Sequence, residues 1–279
     1  MKKNRILFYF FSFNKCYNIY GDIMKIDNIK KTKSGKYKLK LDGTEFTTYD
    51  DVLIKNGILY KKEIDTELFE QMNKDHQYYD AYNKTISYIM KHQRCTSEIK
   101  EYLEKFPLNE EDKNMIIEHI KSIGLLNDLN YIKSYISDSI NLGNDGPYKI
   151  RQHLLDLNLD NDMVNEEVSN IDKELIYNKL LKMIDKKMKS NNKYSEYQLK
   201  QKIIIDMINK GYDRDMINSI MDSYSFDDDE LLLNEYKKLH DKLSKKYSGY
   251  DLTNKIKQKL YSKGFDINKI NEVIKKEIF

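Results

Sequence analysis

The sequence has few of the residues that interrupt regular structure, with two prolines and ten glycines among its 279 residues. An all-β protein with a turn every ten residues or so needs more of both, so this composition favours helices. Charged residues make up 33% of the chain, and its mean hydropathy is −0.76. These values are typical of small helical units that each bury one face, and a single large hydrophobic core is not expected.

Cysteine and long apolar runs are scarce as well. Cys16 and Cys95 are the only cysteines and form no CxxC motif or disulfide framework, which predicts a reduced, cytoplasmic protein. The apolar run at residues 6–13 is far shorter than the roughly 20 residues of a membrane span and precedes no small-residue cleavage site. We interpret residues 1–23 as an extension, with Met24 as the alternative start.

Catalytic motifs are also missing. The sequence contains no GxGxxG, GxxxxGK[ST], GxSxG or HExxH. Its five histidines lie far apart, and none has a cysteine or carboxylate at metal-ligand spacing. Residues 156–167 imitate a calcium loop, but Asn161 replaces the glycine of its sharp turn. The sequence therefore predicts no enzyme activity, no cofactor and no metal site.

The second half of the chain repeats itself at an interval of 53 residues. YSEYQLKQKI at residues 194–203 returns as YSGYDLTNKI at residues 247–256, and KGYD at residues 210–213 returns as KGFD at residues 263–266. One interval earlier the same apolar positions occur again, and a more diverged copy begins near residue 97. A fixed period of this length indicates stacked copies of one supersecondary unit.

Each copy has the pattern of three helices with a tight turn between the last two. In that turn the glycine ends one helix, the aromatic side chain of Tyr212 or Phe265 fills the core, and an aspartate caps the next helix. The second helix is expected to be short. Such units are helix-turn-helix-like bundles.

The segment before the repeats has a different pattern. Residues 37–41 and 44–47 alternate apolar and polar side chains on either side of an Asp-Gly dipeptide, which predicts a β-hairpin. A short capped helix is expected at residues 49–54, and the first long helix near Asp65.

The predicted fold is therefore mainly α, with tandem three-helix repeats that form an elongated curved array after a small N-terminal β-hairpin. An extension, a hairpin region and four repeats are expected at residues 1–23, 24–64, 65–124, 125–170, 171–226 and 227–279.

Charge is distributed unevenly along these segments. Residues 25–40 contain seven lysines and one aspartate, and residues 231–279 contain twelve lysines and six acids. Residues 125–170 contain three bases and eight acids. This polarity favours a mixed partner, such as a protein filament that carries nucleic acid, over bare DNA, for which a basic stripe over every repeat is expected.

Pairs of basic residues recur in successive repeats, next to apolar positions that the period assigns to the core. We predict that these residues and two nearby lysines contact the partner: Lys149, Arg151, Lys200, Lys202, Lys255, Lys257, Lys259 and Lys263. The pairs Lys149 and Arg151, Lys200 and Lys202, and Lys255 and Lys257 are interpreted as equivalent. The alternative interpretation is that the lysines only solvate exposed helix faces.

Three segments resemble one known family. GPYKIRQHL at residues 146–154 is similar to the Gly-Pro-x-basic-Ile-basic-x-x-Leu segment of the RecX regulatory proteins, the modulators of RecA recombinase. RCTSEIKEYL at residues 94–103 resembles the start of that family's first repeat, and LNDLNYI at residues 126–132 resembles its linker to the next. Asn127 stands for the usual aspartate, and His153 occupies a usually acidic position.

The resemblance implies a monomeric, non-enzymatic protein that binds in the groove of the RecA–DNA filament and inhibits its ATPase and strand exchange, in recombination and DNA repair. It further implies weak binding of single- or double-stranded DNA without sequence specificity, and no membrane partner. The alternative is a tandem helix-turn-helix regulator that acts directly on DNA. The later second helices offer mainly lysines, which contact phosphate without reading bases.

The hairpin and every family-like segment follow residue 23. We therefore predict that a protein beginning at Met24 is as stable and active as the full chain. Thermal melts of the two proteins test this, and a loss of more than a few degrees on deletion of residues 1–23 would contradict it.

Overall fold

The computed structural model describes residues 23–191, 193–224 and 227–278. The interpretation of the N-terminal extension falls outside these residues, apart from residue 23. The described residues form two compact units, the first ending at Leu126 and the second beginning at Asn127.

Unit 1 begins with a four-stranded antiparallel sheet. Its strands are β1 (Met24–Lys31), β2 (Tyr37–Leu41), β3 (Thr44–Thr48) and β4 (Glu63–Ile64), in the order β3-β2-β1-β4. The turn between β2 and β3 has positive φ values at Asp42 (44°) and Gly43 (82°), as a tight Asp-Gly hairpin requires. The predicted hairpin is confirmed, and β1 and β4 extend it into a sheet.

One long helix connects the two cores of unit 1. The helices are α1 (Asp50–Lys55), α2 (Thr66–Ile89), α3 (Thr96–Leu103) and α4 (Glu110–Ser122). Met72 of α2 packs in the core beneath the sheet with Leu39 and Leu53. Ala81 and Ile89 of the same helix pack in a second core with α3 and α4. The 24 residues of α2 thus contribute both to the core beneath the sheet and to the core of the three-helix bundle that α2 forms with α3 and α4.

A buried carboxylate holds α1 against α2. Asp75 is 4% exposed and accepts hydrogen bonds from the Lys55 Nζ and the Asn56 Nδ2, both at 2.7 Å. The Gln71 Nε2 donates to it as well, at 3.2 Å. A buried charge is tolerated when it is paired and hydrogen-bonded in this way.

The described part of unit 2 contains nine helices in three groups of three. They are α5 (Asp128–Asn141), α6 (Pro147–Asp156), α7 (Asn161–Ser169), α8 (Lys173–Lys189), α9 (Glu196–Asn209), α10 (Arg214–Asp222), α11 (Asp229–Leu243), α12 (Gly249–Ser262) and α13 (Ile267–Ile278).

Each group has the same turn between its second and third helices, at residues 158–160, 211–213 and 264–266. The first residue of each turn has a positive φ value, of 54°, 83° and 77°. The second is buried, at 6%, 4% and 3% exposure. The third is an aspartate that accepts a hydrogen bond from the backbone of the following helix. The prediction of helix end, core residue and cap in three consecutive residues is confirmed.

The second helices differ in length, and the expectation of a short second helix in each repeat was wrong. Helix α6 has 10 residues, whereas α9 and α12 have 14. The buried isoleucine that the helices share lies four residues after the N-cap in α6 (Ile150) and eight after it in α9 (Ile203). Helix α6 begins later because Gly146-Pro147 starts it, and proline is favoured at the first position of a helix.

The turns generate a stability prediction. Tyr212→Ala should lower the free energy of unfolding by about 3–5 kcal/mol, because it removes a buried aromatic ring. Tyr212→Phe keeps the ring and loses a hydroxyl whose partner is the Met183 sulfur at 3.5 Å, so it should cost less than about 1 kcal/mol. Chemical denaturation measures both, and equal costs would contradict a role for the ring in the core.

Candidate partner-binding surface

Successive helical groups of unit 2 are joined by hydrogen bonds to backbone carbonyls. The first boundary is where the N-terminus of α6 rests on the turn at residues 211–213. The Gly146 N–H donates to the Lys210 carbonyl at 2.6 Å, and the Tyr148 N–H donates to the Gly211 carbonyl at 3.1 Å. The first N–H groups of a helix have no partner within it, so this turn supplies one. A β-carbon on Gly146 would lie 2.5 Å from the Gly211 carbonyl oxygen, so the approach requires glycine.

At the second boundary the hydrogen-bond acceptor is the backbone carbonyl at the equivalent position of the next repeat. Ser195, the N-cap of α9, donates its hydroxyl to the Lys263 carbonyl at 2.7 Å. Lys263 follows Lys210 by the repeat interval of 53 residues. A β-carbon on Gly264 would lie 3.0 Å from the Ser195 Oγ. At both boundaries, therefore, the N-terminus of one group's second helix contacts the C-terminal end of the second helix in the following group: α6 contacts α9, and α9 contacts α12.

Asp228 adds an ion pair with a buried carboxylate to the second boundary. Residues 227–230 form an acidic run, and α11 begins within it at Asp229. Asp228, however, is only 4% exposed and accepts a hydrogen bond from the Glu196 N–H at 3.0 Å. Hydrogen bonds to Asp229, at 2.7 Å, and to Asp228, at 3.0 Å, raise the pKa of Lys269 above its ordinary value. This role of Asp228 could not be predicted from the sequence, because an acidic run does not reveal which carboxylate is buried.

A cleft of about 560 Å³ lies at the first boundary. Tyr148 is 66% exposed at its rim, and Arg151 and Arg214 also line it. The Arg151 Nε donates to the Asn165 Oδ1 at 2.6 Å, which fixes one side of the guanidinium group. Two arginines and one aspartate line the cleft, so it has a net positive charge. Its apolar lining consists of Pro147, Val168, Ile176, Ile208, Tyr212 and Met216.

A cleft of similar size, about 580 Å³, lies at the second boundary. Tyr197 takes the place of Tyr148, two residues after the helix N-cap, and Lys200 takes that of Arg151, five residues after it. Lys200 forms an ion pair with Glu196 at 2.8 Å. Three carboxylates and two lysines line this cleft. An exposed tyrosine near a cation therefore recurs, but the net charge of the cleft is reversed.

The predicted basic residues divide between the clefts and the outer helix surface. Arg151 and Lys200 line the clefts. Lys149, Lys202 and Lys255 are exposed at positions 53 residues apart on α6, α9 and α12. The Lys149 Nζ pairs with an Asp145 carboxylate oxygen at 2.9 Å.

The other candidates lie in the last helical group. Lys257 is half-buried and Lys259 is exposed. Lys263 is exposed and forms an ion pair with Glu235. The structure thus brings one predicted cation to each cleft, and all of the other candidates except the half-buried Lys257 are exposed.

One predicted equivalence was wrong. The sequence interpretation paired Lys200 with Lys149, but the 53-residue frame places Lys200 at the position of Pro147. Counted from the helix N-termini, Lys200 corresponds to Arg151, because α9 begins one turn earlier than α6.

Other chemistry has little support in the described residues. No three His, Cys, Asp or Glu side chains there lie close enough to hold a metal ion, and no helix there is long and apolar enough to cross a membrane. In the calcium-loop-like segment, Asp160 caps α7 and Glu167 pairs with Lys133 at 3.5 Å. Burial raises the pKa of the Cys95 thiol, which disfavours the reactive thiolate.

Comparisons with known proteins connect these helical groups to one family. A family model described as the RecX third three-helix domain matches twice, at residues 174–221 and 227–274. The regulatory protein RecX of Bacillus cytotoxicus is 31% identical over 258 residues, which is 89% of this chain and 95% of that protein. RecX of Streptococcus agalactiae is 29% identical over 262 residues, 90% of this chain and 99% of that protein. A crystal structure of a regulatory protein RecX has a TM-score of 0.60 and 25% identity, and covers 72% of this chain and 100% of that one.

The boundary contacts predict different costs for two glycine substitutions. Gly249 has a φ of 52° and open space around it, so Gly249→Ala should cost about 1–2 kcal/mol from backbone strain alone. Gly211 has a φ of 83°, and a β-carbon added to it would lie 2.4 Å from the backbone nitrogen of Lys149. Gly211→Ala should therefore cost a further ~1–3 kcal/mol. Denaturant unfolding of both variants tests this, and equal costs would show that the boundary is looser than described.

Proposed function

Because this chain belongs to the RecX family, we propose that it binds the RecA–DNA filament, inhibits its ATPase and strand exchange, and so modulates recombination and DNA repair. The observation that carries the proposal is the match with the RecX of Bacillus cytotoxicus, which is named a regulatory protein. That match leaves little of either chain uncovered, so the regulatory role of the family applies to the protein as a whole. Within that regulatory role, we propose that the partner is the RecA–DNA filament and that the effect is inhibition of its ATPase and strand exchange.

The proposed contact surface is the set of recurrent basic residues in unit 2. Exposure supports it, since Lys149, Lys202 and Lys255 are all exposed at positions 53 residues apart in the sequence. Repetition supports it as well, because a filament presents equal surfaces at equal intervals. The full set is Lys149, Arg151, Lys200, Lys202, Lys255, Lys257, Lys259 and Lys263, which would meet acidic protomer surface or filament phosphate.

Inhibition requires unequal affinity for two states of the filament. A bound protein shifts an equilibrium only by the difference in its affinity for the two states. The contacts of Gly146 and Ser195 join neighbouring helical groups through hydrogen bonds to backbone carbonyls, which supports a nearly fixed spacing between their clefts. A filament state that matches this spacing would be bound and retained, and the ATPase cycle would slow because it requires the other state.

The protein's own chemistry is proposed to be binding alone, by a monomer and without a cofactor. Weak, sequence-independent binding of DNA is part of the proposal. The second candidate is a tandem helix-turn-helix regulator that binds DNA directly, and it is favoured by the equal spacing of Lys149, Lys202 and Lys255. A steep salt dependence on bare duplex without any effect on RecA would support this second candidate.

The contact surface generates a mutational prediction. The double variant Lys149→Glu/Arg151→Glu should raise the concentration needed to inhibit RecA-dependent ATP hydrolysis at least tenfold, about 1.4 kcal/mol. Its melting temperature should change little, because the Lys149–Asp145 ion pair and the Arg151–Asn165 hydrogen bond are both exposed and contribute little to stability. An ATPase titration and a thermal melt measure the two effects.

The control is Lys237→Glu/Lys242→Glu, which makes the same charge change at two exposed positions of α11. This variant should inhibit as the unaltered protein does. Full inhibition by a folded Lys149→Glu/Arg151→Glu protein, or an equal loss in the control, would contradict the proposed surface.

A further inference from the structure

The outer face of the sheet in unit 1 has an unusual arrangement of lysines. Ile29, Leu39 and Phe46 lie opposite one another on neighbouring strands and face the core of unit 1. Side chains alternate along a strand, so the residues between them face outward. These outward residues include Lys30 directly opposite Lys38.

Lys40 and Asn28 form the next pair across β1 and β2 on the same face. On β3, Glu45 lies opposite Lys40, and Thr47 lies opposite Lys38. We call these six outward residues the lysine face: Asn28, Lys30, Lys38, Lys40, Glu45 and Thr47. The face has three lysines and one carboxylate, and all six residues are exposed except Lys38, which is half-buried.

This arrangement works against the stability of the sheet. Like charges directly opposite each other on antiparallel strands are destabilising. Lysines often protect the edge strands of a sheet from pairing with other chains. Lys30 fits this explanation, because β4 pairs with β1 only at Met24 and Lys25 and leaves the far side of β1 open at Lys30. Lys38 and Lys40, however, lie on β2, which is paired with β1 on one side and β3 on the other. Edge protection therefore does not explain these two lysines.

The charge of the face is only partly neutralised within the protein. Lys38 pairs with Glu45 at 2.7 Å, and hydrogen bonding to Lys38 lowers the pKa of that carboxyl group. Among the residues that the structure describes, no carboxylate forms an ion pair with Lys30 or Lys40. The lysine face is thus a compact cationic surface that an external anion would stabilise.

The chemistry of the face points to phosphate rather than to bases. Phe46 faces the core, where its ring packs edge-on against Phe69 at 5.5 Å, so it offers no platform for base stacking. The side chains of Asn28 and Thr47 can donate hydrogen bonds to phosphate oxygens beside the lysines. Contacts of this kind bind a backbone without reading its sequence.

Spacing favours a nucleic acid over an isolated anion. Lys38 and Lys40 lie two residues apart on β2, about 6.8 Å along the strand. Along the helix axis one strand of DNA presents a phosphate about every 3.4 Å, so the two lysines are far enough apart to contact different phosphates of one backbone. We propose that the lysine face is a binding site for the phosphate backbone of a nucleic acid. The inference does not depend on filament binding and is tested without RecA.

The test compares the full chain with Lys30→Gln/Lys38→Gln/Lys40→Gln. Binding to a labelled single strand and to its duplex is measured by fluorescence anisotropy over a series of salt concentrations. Each lost phosphate contact lowers the slope of log K against log salt by about 0.7 for a single strand and about 0.9 for a duplex. Loss of three contacts should therefore lower the slope by about 2 to 3 and weaken binding at low salt at least tenfold.

The matched control is Lys74→Gln/Lys91→Gln/Lys100→Gln, which removes the same charge from exposed positions in the helical part of unit 1. Its salt slope should fall by less than 1. Thermal melts of both proteins provide the fold control, and Lys30→Gln alone should not lower the melting temperature, because it relieves repulsion with Lys38.

Three results would overturn the proposal. They are an unchanged slope in the folded lysine-face variant, an equal loss in the control, and loss of binding to anionic phosphatidylglycerol vesicles with DNA binding intact. An ATPase assay with RecA runs in parallel. If the lysine-face variant loses DNA binding but still inhibits RecA fully, the result supports the lysine face and shows that inhibition does not require it. If the unaltered protein binds DNA but does not inhibit RecA, the result counts only against the proposed function.

Discussion

The organisation of unit 2 depends on a single kind of contact, in which the first turn of one second helix meets the end of the next. Hydrogen bonds to the Lys210 and Lys263 carbonyls make this contact at the two boundaries. Because the Gly146 boundary is main chain against main chain, the two helical groups approach more closely than side chains would allow. The clefts, the exposed tyrosines at their rims and the nearby cations all take their positions from this approach.

Sequence predicted well what depends on local pattern. The interval of 53 residues located equivalent turns, and the residues of each turn have one local task each, so Gly211, Tyr212 and Asp213 could be interpreted without knowledge of the tertiary structure. The hairpin was predictable for the same reason, since Asp42-Gly43 determines its own turn. The lengths of α9 and α12 were not predicted, because the core isoleucines recur at the same interval whether or not a helix has an additional first turn.

What sequence could not predict is which distant groups meet. Asp228 belongs to an acidic run with no unusual local signal, and its burial follows from the approach of Glu196 and Lys269. The register between strands β1 and β2 could not be predicted from the sequence either. Alternation indicates that Lys30 and Lys38 are exposed, but only the pairing of β1 with β2 places one opposite the other. The clefts likewise arise between segments far apart in sequence, so no single motif identifies them.

The long helix of unit 1 has a consequence for cooperativity. Since α2 contributes Met72 to the core beneath the sheet and Ala81 to the core of the three-helix bundle, neither core can lose its packing while the other retains an undisturbed helix. We therefore expect the two cores to unfold as one cooperative unit rather than as two. By thermodynamic linkage, a ligand that binds only the folded sheet also protects the bundle against unfolding, although it touches none of the bundle's residues.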